Sequence, residues 1–246
     1  MTVDCEEELD GLACAGRVVA EARDTMAAAV SPGVTTGELD AIGRDVFARY
    51  GARSAPRLTY QFPGSTCISV NEEAAHGVPS LTRHLQAGDL VNLDVSAELD
   101  GYWSDTGVSL AVGEVSPLAT RLLTATTLAQ RDAMEAARPG RRLRDMGRAV
   151  QATARRHGMC VVGNLFGHGI GRALHEDPSV PSIDDGQHLA LWEGLVLAVE
   201  PFLSPSADHV VDGDDGWTLR TVDGSLVAQV EHTMVVTNDG PLVLTY

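Results

Sequence analysis

Ser31–Ala52 reads SPGVTTGELDAIGRDVFARYGA, and Arg138–Met159 reads RPGRRLRDMGRAVQATARRHGM. The two align without a gap at a shift of 107 residues, so that Pro32-Gly33 falls on Pro139-Gly140, Leu39 on Met146, Ile42 on Ala149 and Gly51 on Gly158. In the first copy Thr35 or Thr36 can cap a helix over 36–50, with Leu39, Ile42 and Val46 facing inward and Gly51 ending it. A helix is expected before each copy. One runs from Glu6 to Val30, with Leu12, Val19, Met26 and Val30 at helical spacing. The other opens at Ser116 and Pro117, with Leu118, Leu122, Ala125 and Ala129 repeating. A second echo sets GDLVNLDV, from Gly88, beside GLVLAVEP, from Gly194, and places Asp94 on Glu200 at a shift of 106. Proline-glycine before a helix is common, but two ungapped echoes at nearly one shift argue for duplication. The expected chain is one domain, 1–246, of two similar α+β halves at about 9–110 and 116–243. A site drawing on both halves would lie on the pseudo-twofold axis between them.

Composition narrows the function classes. The 246 residues are 44% hydrophobic and 21% charged, an ordinary globular balance with material for a sizeable core. Lysine is absent, and the net charge of −16 disfavours a phosphate-neutralising surface, so direct nucleic-acid binding is not expected. The opening MTVDCEEELDG has neither a basic nor an apolar signal segment, and no apolar run reaches membrane-spanning length. Cys5, Cys14, Cys67 and Cys160 lack metal-knuckle spacing and read as reduced thiols of a cytoplasmic protein.

The carboxylates carry the chemistry. DLVNLDVSAELDGYWSDTGVSL, residues 89–110, reads as a hairpin turning at Asp100-Gly101. That turn pairs Leu99 with Tyr102 and Ser96 with Asp105. Asp94 and Asp105 then share one face diagonally, roughly 7 Å apart at the backbone. Two aspartates on one face of central strands repel, and burying them unpaired is costly unless a divalent cation joins them. Glu200 ends the apolar strand LVLAVE, and Glu231 interrupts LVAQVEHTMVV. Four carboxylates plus His168 make a cage for two hard or borderline ions, roughly 3.5–4 Å apart as in hydrolytic two-metal sites. Asp89 and Asp100 read as turn residues. His232 points away from Glu231 and reads as structural. DHVVDGDDG, Asp208–Gly216, lacks the spacing of a calcium loop and reads as a solvated surface loop.

GNLFGHGIGRALHEDP, Gly163–Pro178, spaces His168 and His175 seven apart, but its glycines and proline argue against a helix. In order and spacing, SVNEEAAHGVP, GDLVNLDVSAELDGYWSDT, GHGIGRALHEDP, LAVEP and SLVAQVEHT resemble the signature blocks of type I methionine aminopeptidases, over about Leu9 to Val243.

The resemblance implies a pita-bread fold, α+β with pseudo-twofold halves around a curved antiparallel sheet, and removal of the initiator methionine from nascent proteins, with a small second residue preferred. It implies two divalent metal ions (Co, Mn, Fe or Zn) held by Asp94, Asp105, His168, Glu200 and Glu231. Asp105 and Glu231 would bridge, Asp94 would serve one ion, and His168 with Glu200 the other. His76 and His175 match the substrate-contacting histidines, with Glu200 as proton shuttle. Phe62, Cys67 and Trp217 match the walls of the methionine pocket. The family's task implies N-terminal Met peptides as partners and transient ribosome association, although no basic docking patch is visible; the lack of a long apolar run argues against a membrane, and a monomer is the default expectation. Leu174 stands where relatives often carry an aromatic, and Thr59 where a tyrosine is common. The zinc-binding extension of some relatives and the long insertion of the type II branch are missing. The alternatives are an X-Pro aminopeptidase or prolidase of the same fold, and a non-catalytic pita-bread binding module.

Overall fold

The computed structural model describes residues 1–246. In chain order the elements are α1 (Glu6–Ala29), α2 (Thr36–Tyr50), β1 (Arg53–Ser54), α3 (Ala55–Tyr60), β2 (Cys67–Val70), β3 (Glu73–Ala75), β4 (Leu90–Leu99), β5 (Tyr102–Ala111), α4 (Pro117–Ala136), α5 (Leu143–Arg156), β6 (Cys160–Val161), β7 (Phe166–Gly169), β8 (Glu176–Pro181), β9 (Val196–Val199), β10 (Phe202–Ser204), β11 (Val210–Asp212), β12 (Leu219–Thr221), β13 (Ala228–Thr237) and β14 (Gly240–Val243). The main sheet runs β1-β4-β5-β13-β9-β7-β8, and every pairing in it is antiparallel. β11, β12 and β3 form a small second sheet.

The two Pro-Gly segments fold alike. Gly33 and Gly140 both take positive φ, 97° and 81°, and Gly51 and Gly158 end the following helices at 70° and 68°. These are values that glycine adopts without steric cost. Thr35 caps α2 by accepting from the backbone N–H of Glu38, whose carboxylate accepts in return from the N–H of Thr35. At the corresponding helix start, Asp145 accepts from the N–H of Arg142. Leu118 departs from the expected inward stripe. It lies 38% exposed in the first turn of α4, while Ala119, Leu122, Ala125 and Ala129 are buried. At that point of the helix the apolar face begins one residue later.

Strand alternation separates core from site. Leu93, Val95 and Ala97 of β4 join a buried cluster with Val19 and Met26 of α1 and Leu39 and Val46 of α2. Ala228, Met234 and Val236 of β13 join a second with Leu122 of α4 and Met146 of α5. The intervening residues, Asn92, Asp94 and Ser96 on β4 and Gln229, Glu231 and Thr233 on β13, face the other side of the sheet. Helices thus cover one face, and the other is free to carry polar chemistry.

Candidate metal centre

The hairpin forms in the register that its turn dictates: Leu99 pairs with Tyr102, Ser96 with Asp105, and Asp94 with Gly107. Asp100 and Gly101 both take positive φ, 52° and 84°, as a two-residue hairpin turn requires. β5 then pairs with β13, setting Glu231 opposite Gly107 and His232 opposite Thr106. On β13's other side, Thr233 pairs with Ala198 and His232 with Val199, so Glu200 arrives beside Glu231 just past β9. β7 pairs with β9 through His168 and Ala198. Cys67, Asp94, Gly107 and Glu231 thus form one row across β2, β4, β5 and β13.

The structure brings the five expected ligands together. Asp105, His168 and Glu231 each offer a ligand atom, mutually within 4.8 Å. Asp94 and Glu200 fall outside that tightest set but adjoin it. Glu200 Oε1 lies 3.7 Å from His168 Nε2, and the Asp94 carboxyl is within hydrogen-bond reach of Asp105. His168 turns Nε2 inward because Nδ1 is occupied by the carbonyl of Gly169, 2.9 Å away.

Electrostatics make this arrangement costly without a counter-charge. Burial raises Asp94 to about 7. Burial, then mutual repulsion, raises Asp105, Glu200 and Glu231 well above ordinary carboxylates. Burial also lowers His168 to about 3. Its approaches to Asp105 at 3.9 Å and Glu200 at 3.7 Å have ion-pair spacing, but a neutral imidazole makes them contacts of polar groups only. No arginine neutralises the cluster in any ion pair. Asp105 Oδ1 and Glu231 Oε1 are buried without any hydrogen-bond partner. Orphaned carboxylate oxygens beside a neutral imidazole are the donor set that a divalent cation of hard or borderline character takes.

Asp94, Asp105, His168 and Glu200 of the cluster line a cavity of about 330 Å³. That is at the small end of ligand sites, with room for one side chain rather than a folded partner. Phe62, Cys67, His76, His175 and Trp217 all line it, as do Tyr60, Leu165, Phe166 and Phe202. Phe62 and Trp217 meet edge-on with centroids 5.2 Å apart. The Asp208–Gly216 segment is only partly loop, because Val210–Asp212 forms β11 against β12. Past it, Asp215 accepts from the N–H groups of Trp217 and Thr218 and fixes the approach of the indole. Leu174 is buried and lines the wall.

The two histidines stand on loops. His76 takes φ 56°, uncommon outside glycine. It keeps a solvent-exposed edge, yet the surrounding protein lowers its pKa by burial. His175 stacks edge-on against His168 with centroids 4.3 Å apart. Its loop is gathered by Glu176, which accepts from the N–H groups of Arg172 and Ala173 and pairs with the amino group of Met1. Tyr60 Oη bonds His175 Nδ1. Thr59 is exposed and does not line the cavity, whereas Tyr60 does. His232, on the far face, bonds Thr245 Oγ1.

Sequence reading missed Tyr60 and the polar residues under the carboxylates, namely Asn92, Ser109, Gln229 and Thr233. A signal existed. Asn92, Gln229 and Thr233 lie two residues from a candidate ligand on the same strand and Ser109 four from Asp105, hence on the same face.

A sequence model of metallopeptidase family M24 matches residues 10–238. The chain belongs to that family. It is 47% identical to methionine aminopeptidase 2 of Bacillus subtilis (strain 168), over all of this chain and 99% of that relative. The crystal structure of methionine aminopeptidase from Rickettsia prowazekii superposes with a TM-score of 0.95 at 38% identity, covering both chains completely. Prolidase from Pyrococcus furiosus superposes at 0.78 with 22% identity, over all of this chain and 65% of that one, a likeness of fold alone. The fold is therefore the pita-bread α+β architecture, as expected. M24 metallopeptidases use divalent metal, and the orphaned oxygens of this M24 chain fit that requirement. No helix is long and apolar enough to cross a membrane.

Proposed function

We propose that this chain is a methionyl aminopeptidase that removes the initiator methionine from nascent proteins with a small second residue. One observation carries the reading. Asp94, Asp105, Glu200 and a neutral His168 line an apolar cavity of side-chain size, Glu231 adjoins them, and one oxygen each of the buried Asp105 and Glu231 is unpartnered. The names of the full-length relatives supply the substrate.

In this reading Asp94, Asp105, His168, Glu200 and Glu231 would hold two divalent ions, Asp94 serving one, His168 with Glu200 the other, and Asp105 and Glu231 both. Bound cations would lower the pKa of a nucleophilic water and polarise the scissile carbonyl. With the ions bound Glu200 would be ionised, and it would take the proton released by the water and pass it to the leaving amine. His175, with Nδ1 taken by Tyr60, presents Nε2 to the cavity, and with His76 donates to the carbonyl oxygen as charge builds there. Phe62, Cys67 and Trp217 wall the methionine side chain, whose flexible thioether suits an irregular apolar slot. We read the chain as a cytoplasmic monomer that meets nascent chains beside the ribosome without gripping nucleic acid. The four free thiols support the compartment, and the net charge of −16 the lack of a grip on nucleic acid.

The test is metal-stripped protein titrated with manganese, cobalt, iron or zinc against Met-Ala-Ser and Ala-Pro peptides. Cation-dependent release of methionine from the first peptide alone is expected. Turnover of only Ala-Pro would make the chain a prolidase-type enzyme. Cation binding with no turnover of either would make it a binding module.

A further inference from the structure

Directly below the carboxylate row lies a second row, Asn92 on β4, Ser109 on β5 and Gln229 on β13. Asn92 pairs with Ser109 in the strand register. All three are buried, as is Glu231. Asn92 Nδ2 donates to Gln229 Oε1 at 2.8 Å and to Ser109 Oγ at 3.2 Å. Ser109 Oγ also accepts from the backbone N–H of Gln229 at 2.9 Å. Gln229 Nε2 donates to Glu231 Oε2 at 3.0 Å. Room for the amide comes from Gly107. A Cβ there would meet Gln229 Oε1 at 2.2 Å and Nε2 at 2.6 Å, distances that real Cβ atoms do not reach.

We infer that Gln229 is a positioning residue: locked by Asn92 and housed over Gly107, its amide claims one oxygen of Glu231, turns the other into the cage and so sets the cage's affinity for divalent cations. The inference rests on the proposed reading that the cage binds such ions.

The polarity of the amide has one solution. Asn92 offers N–H to one end, so that end is the oxygen of Gln229, and the nitrogen faces the carboxylate. Reversal would set an amide oxygen against a carboxylate and leave two N–H groups facing each other, both desolvated. Glu231 Oε2 is therefore committed to Gln229, while Oε1 has no protein partner and remains for a cation. Outer groups of this kind orient metal ligands elsewhere, and their loss typically costs about 10–100-fold in metal affinity.

Calorimetric titration of the stripped full-length protein with Mn²⁺ tests the idea without using turnover. Gln229→Met keeps length and removes the donor. Asn92→Asp leaves Gln229 in place but reverses the end that Asn92 attracts. Each variant should weaken Mn²⁺ binding about tenfold or more. Val46→Ala, in the remote core of the first half, lowers stability without touching the cage and should bind Mn²⁺ as wild type does. If the wild type binds no Mn²⁺, the reading of the cage fails. If the wild type binds it and both Gln229→Met and Asn92→Asp bind within about twofold, Gln229 is only glue between strands. If Gln229→Met does not fold, Asn92→Asp decides alone. Equal weakening in Val46→Ala would also overturn the inference, because general loosening would then suffice.

Discussion

Asp105 and Glu231 occupy matching places in the two halves, on the two strands that meet at the centre of the sheet, yet the protein supports them differently. Across from Glu231 the first half carries Gly107, and the vacated space holds the amide of Gln229. Beside Asp105 the second half carries Thr233, whose hydroxyl donates to the carbonyl of Asp105 at 2.8 Å and accepts from its N–H at 2.9 Å. Both backbones are thus held by a threonine hydroxyl, that of Glu231 by Thr106 at 2.9 Å, but only Glu231 has an amide on its carboxylate. The difference teaches that a pseudo-twofold site need not be symmetric beyond the ligands themselves. The shorter aspartate is aimed by fixing its Cα, and the longer glutamate needs a partner at its tip.

The largest effect tests whether the two carboxylates are nonetheless equivalent in function. Asp105→Asn and Glu231→Gln should each lower kcat/KM about 10³-fold or more, at least ~4 kcal/mol of transition-state stabilisation. Both should also lower the cation content of the purified protein. A variant that keeps full cation content and loses less than about tenfold would show that its carboxylate is a bystander.

Next in size are the loop histidines, which contrast with the strand-borne cage. His175→Ala should cut kcat about 10²–10³-fold, the scale of losing one donor to a developing oxyanion, with cation content unchanged. Tyr60→Phe should act in the same direction with a smaller effect, because it frees the ring of His175 without removing its N–H. Cation loss in His175→Ala, measured by elemental analysis, would mean that the histidine belongs to the cage instead.

The same contrast explains what could be read in the amino-acid sequence. The hairpin was legible to the exact pairing because Asp100-Gly101 is a local signal and a two-residue turn dictates register. The duplicated helices were legible because proline, glycine and capping residues act within a few positions. Glu200, Glu231 and His168 stood out only as polar interruptions of apolar strands. Their convergence depends on pairings 30 and 33 residues apart (His168 with Ala198, Val199 with His232), and their meeting with Asp94 and Asp105 on one 124 apart (Gly107 with Glu231), which no short-range rule specifies. The resemblance to a family, rather than the chemistry of the strands, supplied that step. Tyr60 was missed because α3 is a short helix, and a rotation of one residue decides whether Thr59 or Tyr60 faces the cavity. Gln229 and Asn92 were missed because a buried amide is ambiguous until its partners are known.

Smaller effects separate the two support schemes. Gly107→Ala should destabilise by about 1–3 kcal/mol, because the new methyl enters space already filled by the amide of Gln229. Thr233→Val removes the hydroxyl that serves the backbone of Asp105, and should cost about 1–2 kcal/mol through an unsatisfied buried N–H. Denaturant unfolding of the cation-free proteins measures both. With Mn²⁺ added, Gly107→Ala should recover less than Thr233→Val, because only the first displaces a carboxylate partner. Equal recovery would mean that the two supports do the same job.

The smallest effect concerns the residue next to Glu231 on the opposite face of β13. His232 lies under α1, bonded to Thr245 Oγ1 and stacked on Tyr246, and its charged neighbours are Arg23 and Asp24 of α1. Burial, reinforced by the Arg23 guanidinium, lowers its pKa to about 4, and the Asp24 carboxylate opposes this only weakly. In the unfolded chain it titrates near the ordinary value of about 6.5. As pH falls through about 6.5 the unfolded chain gains a proton that the folded chain refuses, so stability drops until about pH 4, where both forms are protonated. At about pH 5.5 the loss is about 1 kcal/mol, one pH unit of differential protonation. His232→Gln keeps a polar partner for Thr245 but cannot titrate. Its thermal midpoint should fall less than that of the wild type between about pH 7.5 and 5.5, while methionine release at pH 7.5 stays the same. Parallel losses in the two proteins would assign the acid sensitivity to another group, and a change in turnover would show that the helix-covered face is not insulated from the cage.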